Sequence, residues 1–418
     1  MKAELVRRLL AVLAIVVFAG GGLVACGDDG DEAEPATSAP GVTEGGSSNP
    51  GSREASGEAV RILQLTAEAP ELGVTLPDMT SSLQGRIDRL NREGGVLGRP
   101  VEVDICIAAQ DPNRAAECAR RAVEGGYLAA VGSIFPNGGD YHNILAAANI
   151  PDIGYQPFDQ LDGTAPNGFP IVGGSFSLVY GAARRIAEEF DPERVVVMQA
   201  DSAAGAAVGD YARRVLDPLG IEVVPLPITR NKPDLSAEIQ SAMSDGDAIF
   251  IGTSGADMVK IISGLVQANY KNFVVTEPSF QPALIKALGG TLDGVRAVTA
   301  VAVEGMESPG REQYLADLAG ADPDQAETTL GKEAWLAGEL FAQAAAKLTE
   351  VDSRQLLETL GTISDFHGGQ MIRPVDFTKP GSYVDGQPNI RNIDVLYCTF
   401  KGGKCPADTG QWVNPLDK

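Results

Sequence analysis

The residues in this 418-residue chain that could do chemistry are two histidines, five cysteines and a scatter of carboxylates. His142 stands beside Tyr141, and His367 lies in "DFHGGQ"; neither belongs to an H-E-x-x-H metal motif. They read as a helix-start residue and a turn residue. A nucleophile elbow needs G-x-S-x-G, and the nearest stretch, "GTSGAD" at 252–257, has the wrong spacing. The first strand is followed by "LTAEAPELG", which is not the glycine fingerprint of a dinucleotide site, and no phosphate-cradling G-x-x-x-x-G-K-[ST] exists. The acidic loop at 28–31 lacks the alternating Asp/Asn positions and closing Glu of a calcium loop. These patterns favour binding over turnover, with no cofactor and no metal expected.

The cysteines carry more information. Cys26 ends "LVAC", directly after a leader with Lys2, Arg7 and Arg8 at its start and an apolar core from Leu9 to Ala19. That core is too short for a membrane span, which needs about 20 apolar residues, and it fits a secretory signal. Leu23-Val24-Ala25-Cys26 resembles the lipobox of bacterial lipoproteins. The resemblance implies a signal peptide over 1–25 and a lipidated Cys26 that anchors the chain to the membrane. Residues 27–58 have no aromatic residue and one valine, too little apolar surface to offset ordering entropy. They are expected to form a disordered acidic linker with a reach of roughly 30 Å.

Cys106, Cys118, Cys398 and Cys405 remain. An even number in an exported protein suggests two disulfides. Three connectivities are possible; the local one, Cys106–Cys118 and Cys398–Cys405, is expected. It would join a strand to the next helix and close the turn in "CTFKGGKC". The formal net charge of −23 repels phosphate backbones, so no nucleic-acid partner is expected.

The chain from about residue 59 must position whatever it binds. Its length exceeds a single core and suggests two lobes. Apolar runs such as "VRILQL", "VEVDICI", "YLAAVGS", "RVVVMQ", "IEVVPLP", "DAIFIG", "NFVVTE" and "VRAVTAVAV" alternate with helix-period segments. Met79, Leu83, Ile87 and Leu90 share one helical face. Val208, Tyr211, Val215 and Leu219 share a second, and Met258, Ile261, Ile262 and Leu265 a third. This alternation predicts an α/β fold with parallel, doubly wound sheets. In such folds ligands sit on the loops after the strands, here 66–75, 132–140, 154–160, 199–206, 252–257 and 276–281.

At "RLNREGGVLGRPVEVDICIAAQDPNRAAECARRAV", residues 89–123, the chain resembles the type I periplasmic binding proteins, in the branched-chain amino-acid (Leu/Ile/Val-binding) branch that serves ABC importers. Gly94 and Gly95 would end a helix at positive φ, and Gly98-Arg99-Pro100 would turn the chain into the next strand. The likeness runs over about 59–385, through "VYGAARRIAEEF" and "KEAWLAGELFAQAAAKL". It implies two Rossmann-like lobes joined by a three-segment hinge: 59–176 plus 302–365 as the first lobe, and 177–301 plus 366–418 as the second. It also implies a small-molecule ligand in the cleft, an ABC permease as partner, and a monomer at the outer face of the membrane.

Carried over position by position, the resemblance places Pro136 where the amino-acid binders have a hydroxyl, and Pro157 and Phe158 at their Ala-Thr pair. Asn137 and Gln156 could donate amide hydrogens instead, with Phe135, Tyr155 and Phe158 as apolar or stacking walls. Glu277 falls where the family's second lobe receives a ligand ammonium. Ser254 and Ala204 stand where the family has aromatics, which leaves more room. The ligand class left by these residues is an amino acid, an amide, or an aromatic or aliphatic acid. A sensor on the same fold would share every one of these features, whereas a secreted hydrolase would need a catalytic constellation.

Overall fold

The computed structural model describes residues 55–69, 75–136, 138–276 and 280–417, without the side chains of Ala203 and Ala204. The leader, Cys26, the linker up to residue 54, Asn137 and Glu277 lie outside the described residues.

The first sheet is built on β1 (Val60–Thr66), whose side chains are buried at every position but Arg61. A strand covered on both faces reads as a continuous apolar run, and this one sits inside its sheet. It is followed by α1 (Pro77–Arg92), β2 (Val101–Ile107), α2 (Pro112–Glu124), β3 (Ala129–Val131), α3 (Gly139–Ala147), β4 (Asp152–Ile153) and β5 (Gly168–Phe169). The five strands are parallel, in the order β2-β1-β3-β4-β5. α1 stops where Gly94 and Gly95 take φ of 112° and 66°, and Gly98 at 82° turns the chain toward β2. Pro112 opens α2 behind Asp111, whose side chain accepts from the Asn113 amide at 2.9 Å.

After α4 (Gly174–Phe190) the second sheet begins. It runs through β6 (Arg194–Ala200), α5 (Ala203–Leu216), β7 (Glu222–Ile228), α6 (Ser236–Asp245), β8 (Ala248–Gly252), α7 (Gly255–Gln267), β9 (Phe273–Thr276), α8 (Pro282–Leu288) and β10 (Arg296–Thr299). The chain then forms α9 (Pro309–Ala321), α10 (Thr329–Ala345) and α11 (Ser353–Leu360), and ends with β11 (Leu396–Thr399). The second sheet is ordered β11-β10-β9-β8-β6-β7, parallel except for β11, which pairs antiparallel with β10. Leu219 falls off the expected helical face: α5 ends at Leu216, a short 3-10 turn containing Pro218 follows, and Leu219 is exposed.

Both disulfides are local. Cys106 of β2 joins Cys118 of α2 with Cα atoms 5.9 Å apart, and Cys398 joins Cys405 across the turn after β11 at 5.3 Å.

α10 returns to the first sheet. Gly132 and Gly154, at the ends of β3 and β4, take φ of 64° and 65° and lie against Ala334 and Ala337. Three segments pass between the lobes: 169–174, 300–303 and 392–396. They touch one another through Asn392 Nδ2 donating to the Ile171 carbonyl at 3.3 Å, while the Ala302 amide donates to Met371 at 2.7 Å. The C-terminal boundary lies later than the expected residue 366. Phe377 packs on Phe169, Asn389 Nδ2 donates to the Ala165 carbonyl at 2.7 Å, and the Phe377 amide donates to Ile363 at 2.8 Å. These contacts attach 366–392 to the first lobe, and the chain enters the second only at Val395, which pairs with Val413.

Candidate ligand-binding cleft

The loops that follow β3 and β4 are tied together by one buried aspartate. Asp162 Oδ2 accepts from the amides of Phe158 at 2.6 Å and Asp159 at 3.1 Å, which folds 158–162 into a tight arc. Its Oδ1 lies 2.9 Å from Nε2 of His142 on α3, and its carbonyl accepts from the Tyr155 hydroxyl. Nδ1 of His142 lies 3.2 Å from Oδ2 of Asp152 on β4. Burial alone would lower the His142 pKa, but the hydrogen bonds and charges of Asp152 and Asp162 outweigh it and push it up to about 10. The imidazolium is the counter-ion that allows two carboxylates into this interior. Burial also raises the Asp152 carboxyl above its ordinary range, and the His142 charge opposes that.

The residues picked out from sequence divide between interior and cleft. Phe135 is 5% exposed and belongs to the core cluster of Leu63, Leu65 and Tyr141. Tyr155 is 3% exposed, with its ring against His142 at 4.8 Å between centroids. Gln156 follows it; its amide donates to the Ser133 carbonyl at 3.1 Å, and its buried side-chain Oε1 has no partner among the described residues. Phe158 is half-buried against the main core, and its carbonyl faces the Tyr211 hydroxyl of α5 at 3.4 Å. Ser254 caps α7 in extended conformation, exposed, without a side-chain capping bond. Of the expected set, Gln156 and Phe158 lie together on one loop and Ser254 stands on the other lobe.

Sequence reading missed Thr253 and Gln199. Thr253 follows β8, is buried, and has an Oγ1 without a partner among the described residues; the same holds for Oε1 of Gln199 on β6. A buried polar group left unpaired costs about 1–3 kcal/mol. Orphan groups at strand ends on both lobes are therefore places where a polar ligand recovers free energy. Thr66, at the end of β1, adds a buried hydroxyl of the same kind. Nothing in the spacing of a Gln, a Thr and another Gln distinguishes them from solvated loop residues.

Polar contacts between the lobes among the described residues include Tyr211 with Phe158, Arg214 with Asp385, Arg230 with Gln110 and Thr299 with Thr329, each at 3.4 Å. The geometry is that of two α/β units in contact through these side chains and joined by three segments.

Residues 60–403 match the model of the family described as periplasmic binding protein. The chain belongs to that family. Its two parallel-sheet lobes have the type I arrangement. Among solved structures, this binding protein is similar to a leucine-binding protein, LivK, of Thermotoga maritima MSB8. The two share 16% identity and a TM-score of 0.70, covering 85% of this chain and 99% of that one. It is also similar to the branched-chain amino-acid transporter substrate-binding protein LivJ of Streptococcus pneumoniae, solved with isoleucine: 16% identity, TM-score 0.69, 84% and 98% covered. A fatty acid ABC transporter substrate-binding protein from Thermomonospora curvata aligns at 15% identity and TM-score 0.69, over 87% and 92%. At such identities the likeness establishes the fold. No curated protein matches the chain.

Proposed function

We propose that the protein is the substrate-binding component of an ABC importer, exported and held at the outer face of the membrane through lipidated Cys26. It captures a small organic molecule between its lobes. A ligand that touches both lobes favours the closed form, and the permease reads that form. The observation that carries this reading is the presence of orphan buried groups on strand-end loops of both lobes, Gln156 Oε1 and Thr253 Oγ1, on a fold whose lobes are joined by three segments. Catalysis is no part of the reading. The neighbours named above are described as binding leucine, isoleucine or fatty acids, which spans the ligand classes left by the sequence.

A thermal-shift screen of amino acids, amides, aromatic and aliphatic acids and polyols tests the capture step. One class should raise Tm in a concentration-dependent way, the folded state gaining about 2.7 kcal/mol at a hundredfold excess over Kd. Gln156→Ala and Thr253→Ala should weaken that response. A screen without any stabilising ligand would overturn the reading. Separately, Cys26→Ser should release the protein from membranes without changing affinity, since anchoring rests on buried acyl chains.

A further inference from the structure

A cavity of about 350 Å³ lies between α8 and the turn of 400–405 on one side and the start of α10 on the other. That volume is within the range of small-molecule sites, roughly 300–1,000 Å³. Pro282, Ile285, Val303 and Phe400 give it an apolar wall. Lys286, Lys332 and Lys404 line the rest together with Glu304 and Glu327.

The carboxylates there are already engaged. Glu327 takes a bidentate grip from Arg311, at 2.7 Å to Nε and 2.5 Å to Nη2, and pairs with Lys332 at 3.3 Å. Glu304 pairs with Lys404 at 3.1 Å. Lys332, buried on α10, also donates to the Ala302 carbonyl at 2.9 Å, so it is fixed beside a crossing segment. Lys286 is exposed at the rim. Among the described residues, Lys332 and Lys404 are thus paired with the two glutamates, and Lys286 is the lining cation left over, in a chain whose net charge is −23. An unpaired cation beside an apolar wall is a place for a single negative charge.

We propose that this cavity binds a monoanionic molecule with an apolar body, such as a medium-chain or arylalkyl carboxylate. The body lies on Ile285, Val303 and Phe400, and the carboxylate meets Lys286. The cavity wall is shared between α8 of one lobe and Lys332 of the other, so occupancy couples to lobe position. The proposal goes beyond the receptor reading, since neither Gln156 nor Thr253 lines this cavity.

Isothermal titration of the full chain with octanoate, with octanamide as the neutral probe, tests it. Octanoate should bind at least tenfold more tightly than octanamide. Lys286→Glu, a change on an exposed side chain, should weaken octanoate at least tenfold and leave thermal unfolding unchanged. Ile285→Trp should block it by filling the cavity, and Lys286→Glu keeps the test decisive if that variant folds poorly. Equal binding of acid and amide, no binding of octanoate, or indifference to Lys286→Glu would each overturn the proposal. If another ligand stabilises the protein through Gln156 and Thr253 while octanoate does not bind, the cavity proposal falls and the receptor reading stands.

Discussion

Nε2 of His142 stands 2.9 Å from Oδ1 of Asp162, in the interior of the first lobe. Through this contact α3 holds the arc at 158–162, next to the loop that carries Gln156. Removing the imidazolium leaves Asp152 and Asp162 buried without their counter-ion. His142→Ala should cost about 3–5 kcal/mol by urea unfolding at neutral pH. The pH dependence follows from the direction of the shift. The folded His142 pKa is raised to about 10 from 6.5, so its contribution is complete below pH 6.5 and is lost as pH rises toward 10. Wild type should lose stability across pH 7–10 with a steeper slope than His142→Gln. Parallel slopes would show that the imidazole is not charged in the fold.

Arg185 plays the corresponding part in the second lobe. It is 2% exposed on α4, and Nη1 donates to the carbonyls of Ala297 and Cys398, each at 2.7 Å. Nη2 pairs with Asp408 at 2.7 Å and Nε with Glu189 at 2.7 Å. One guanidinium thus binds β10, β11 and the last segment to a helix of the same lobe. The rigid fork makes lysine a poor substitute. Arg185→Lys should destabilise by about 2 kcal/mol or more, since the two carbonyls lose a buried donor. Unfolding at the wild-type midpoint would contradict that role.

Much of the fold was legible in the chain, and the reason is periodicity. β1, β8 and α7 are buried along the residues that the apolar pattern selects, because a doubly covered sheet needs continuous apolar strands. The turn glycines Gly94 and Gly95 were legible because few other residues take their φ. The site was less so. His142, Asp152 and Asp162 have no motif spacing; they meet because α3, β4 and the loop after it fold back on one another. Phe135 and Tyr155 stand at strand ends in the sequence pattern, and burial puts both in the interior. The boundary at 366 was missed because a segment without regular elements gives no periodic signal as to which lobe it covers.

Gly154 tests how closely α10 seats on the first sheet. A Cβ there would lie 2.3 Å from the Ala337 Cβ and 2.8 Å from its Cα, at a φ of 65°. Left-handed backbone costs a non-glycine residue roughly 1–2 kcal/mol, and overpacking adds about 1–3 kcal/mol. Gly154→Ala should therefore lower stability by about 2–5 kcal/mol, measured by thermal unfolding. Ala337→Gly in the same chain should recover part of the loss by removing the opposing methyl. A neutral Gly154→Ala would mean that α10 lies further from the sheet than described.

The Cys398–Cys405 bond closes a seven-residue separation beside the proposed carboxylate cavity, which Cys405 also lines. Loop-closure entropy for so short a ring amounts to about 2–3 kcal/mol in the chain-entropy account. Replacing both cysteines by serine should cost about that much. The loss should be local, because the turn is also pinned by the Gly402 amide on Asp293 at 2.8 Å and by the Lys401–Lys404 pairing. Cys106→Ser with Cys118→Ser should cost a similar amount and leave octanoate affinity unchanged, since β2 and α2 lie at the outer edge of the other lobe. An equal fall in octanoate affinity for both double variants would point to global loosening rather than a local role for the turn.

Tyr211 reaches across the cleft, its hydroxyl 3.4 Å from the Phe158 carbonyl and its ring 4.7 Å from that of Phe176. The ring is fixed by packing within reach of α4, and the hydroxyl alone makes the crossing contact. Tyr211→Phe keeps the packing and removes the donor. A long hydrogen bond to a half-buried carbonyl contributes at the low end of about 0.5–1.5 kcal/mol. If that contact forms only when the lobes close, the variant should bind ligand about two- to fivefold more weakly while unfolding at the wild-type temperature when empty. The change should appear in the closing step, because the hydroxyl contacts the opposite lobe rather than its own. Stopped-flow fluorescence from Trp335 and Trp412 separates binding from closure. An unchanged affinity, or a loss of stability without ligand, would mean that the hydroxyl is not part of the closing contact.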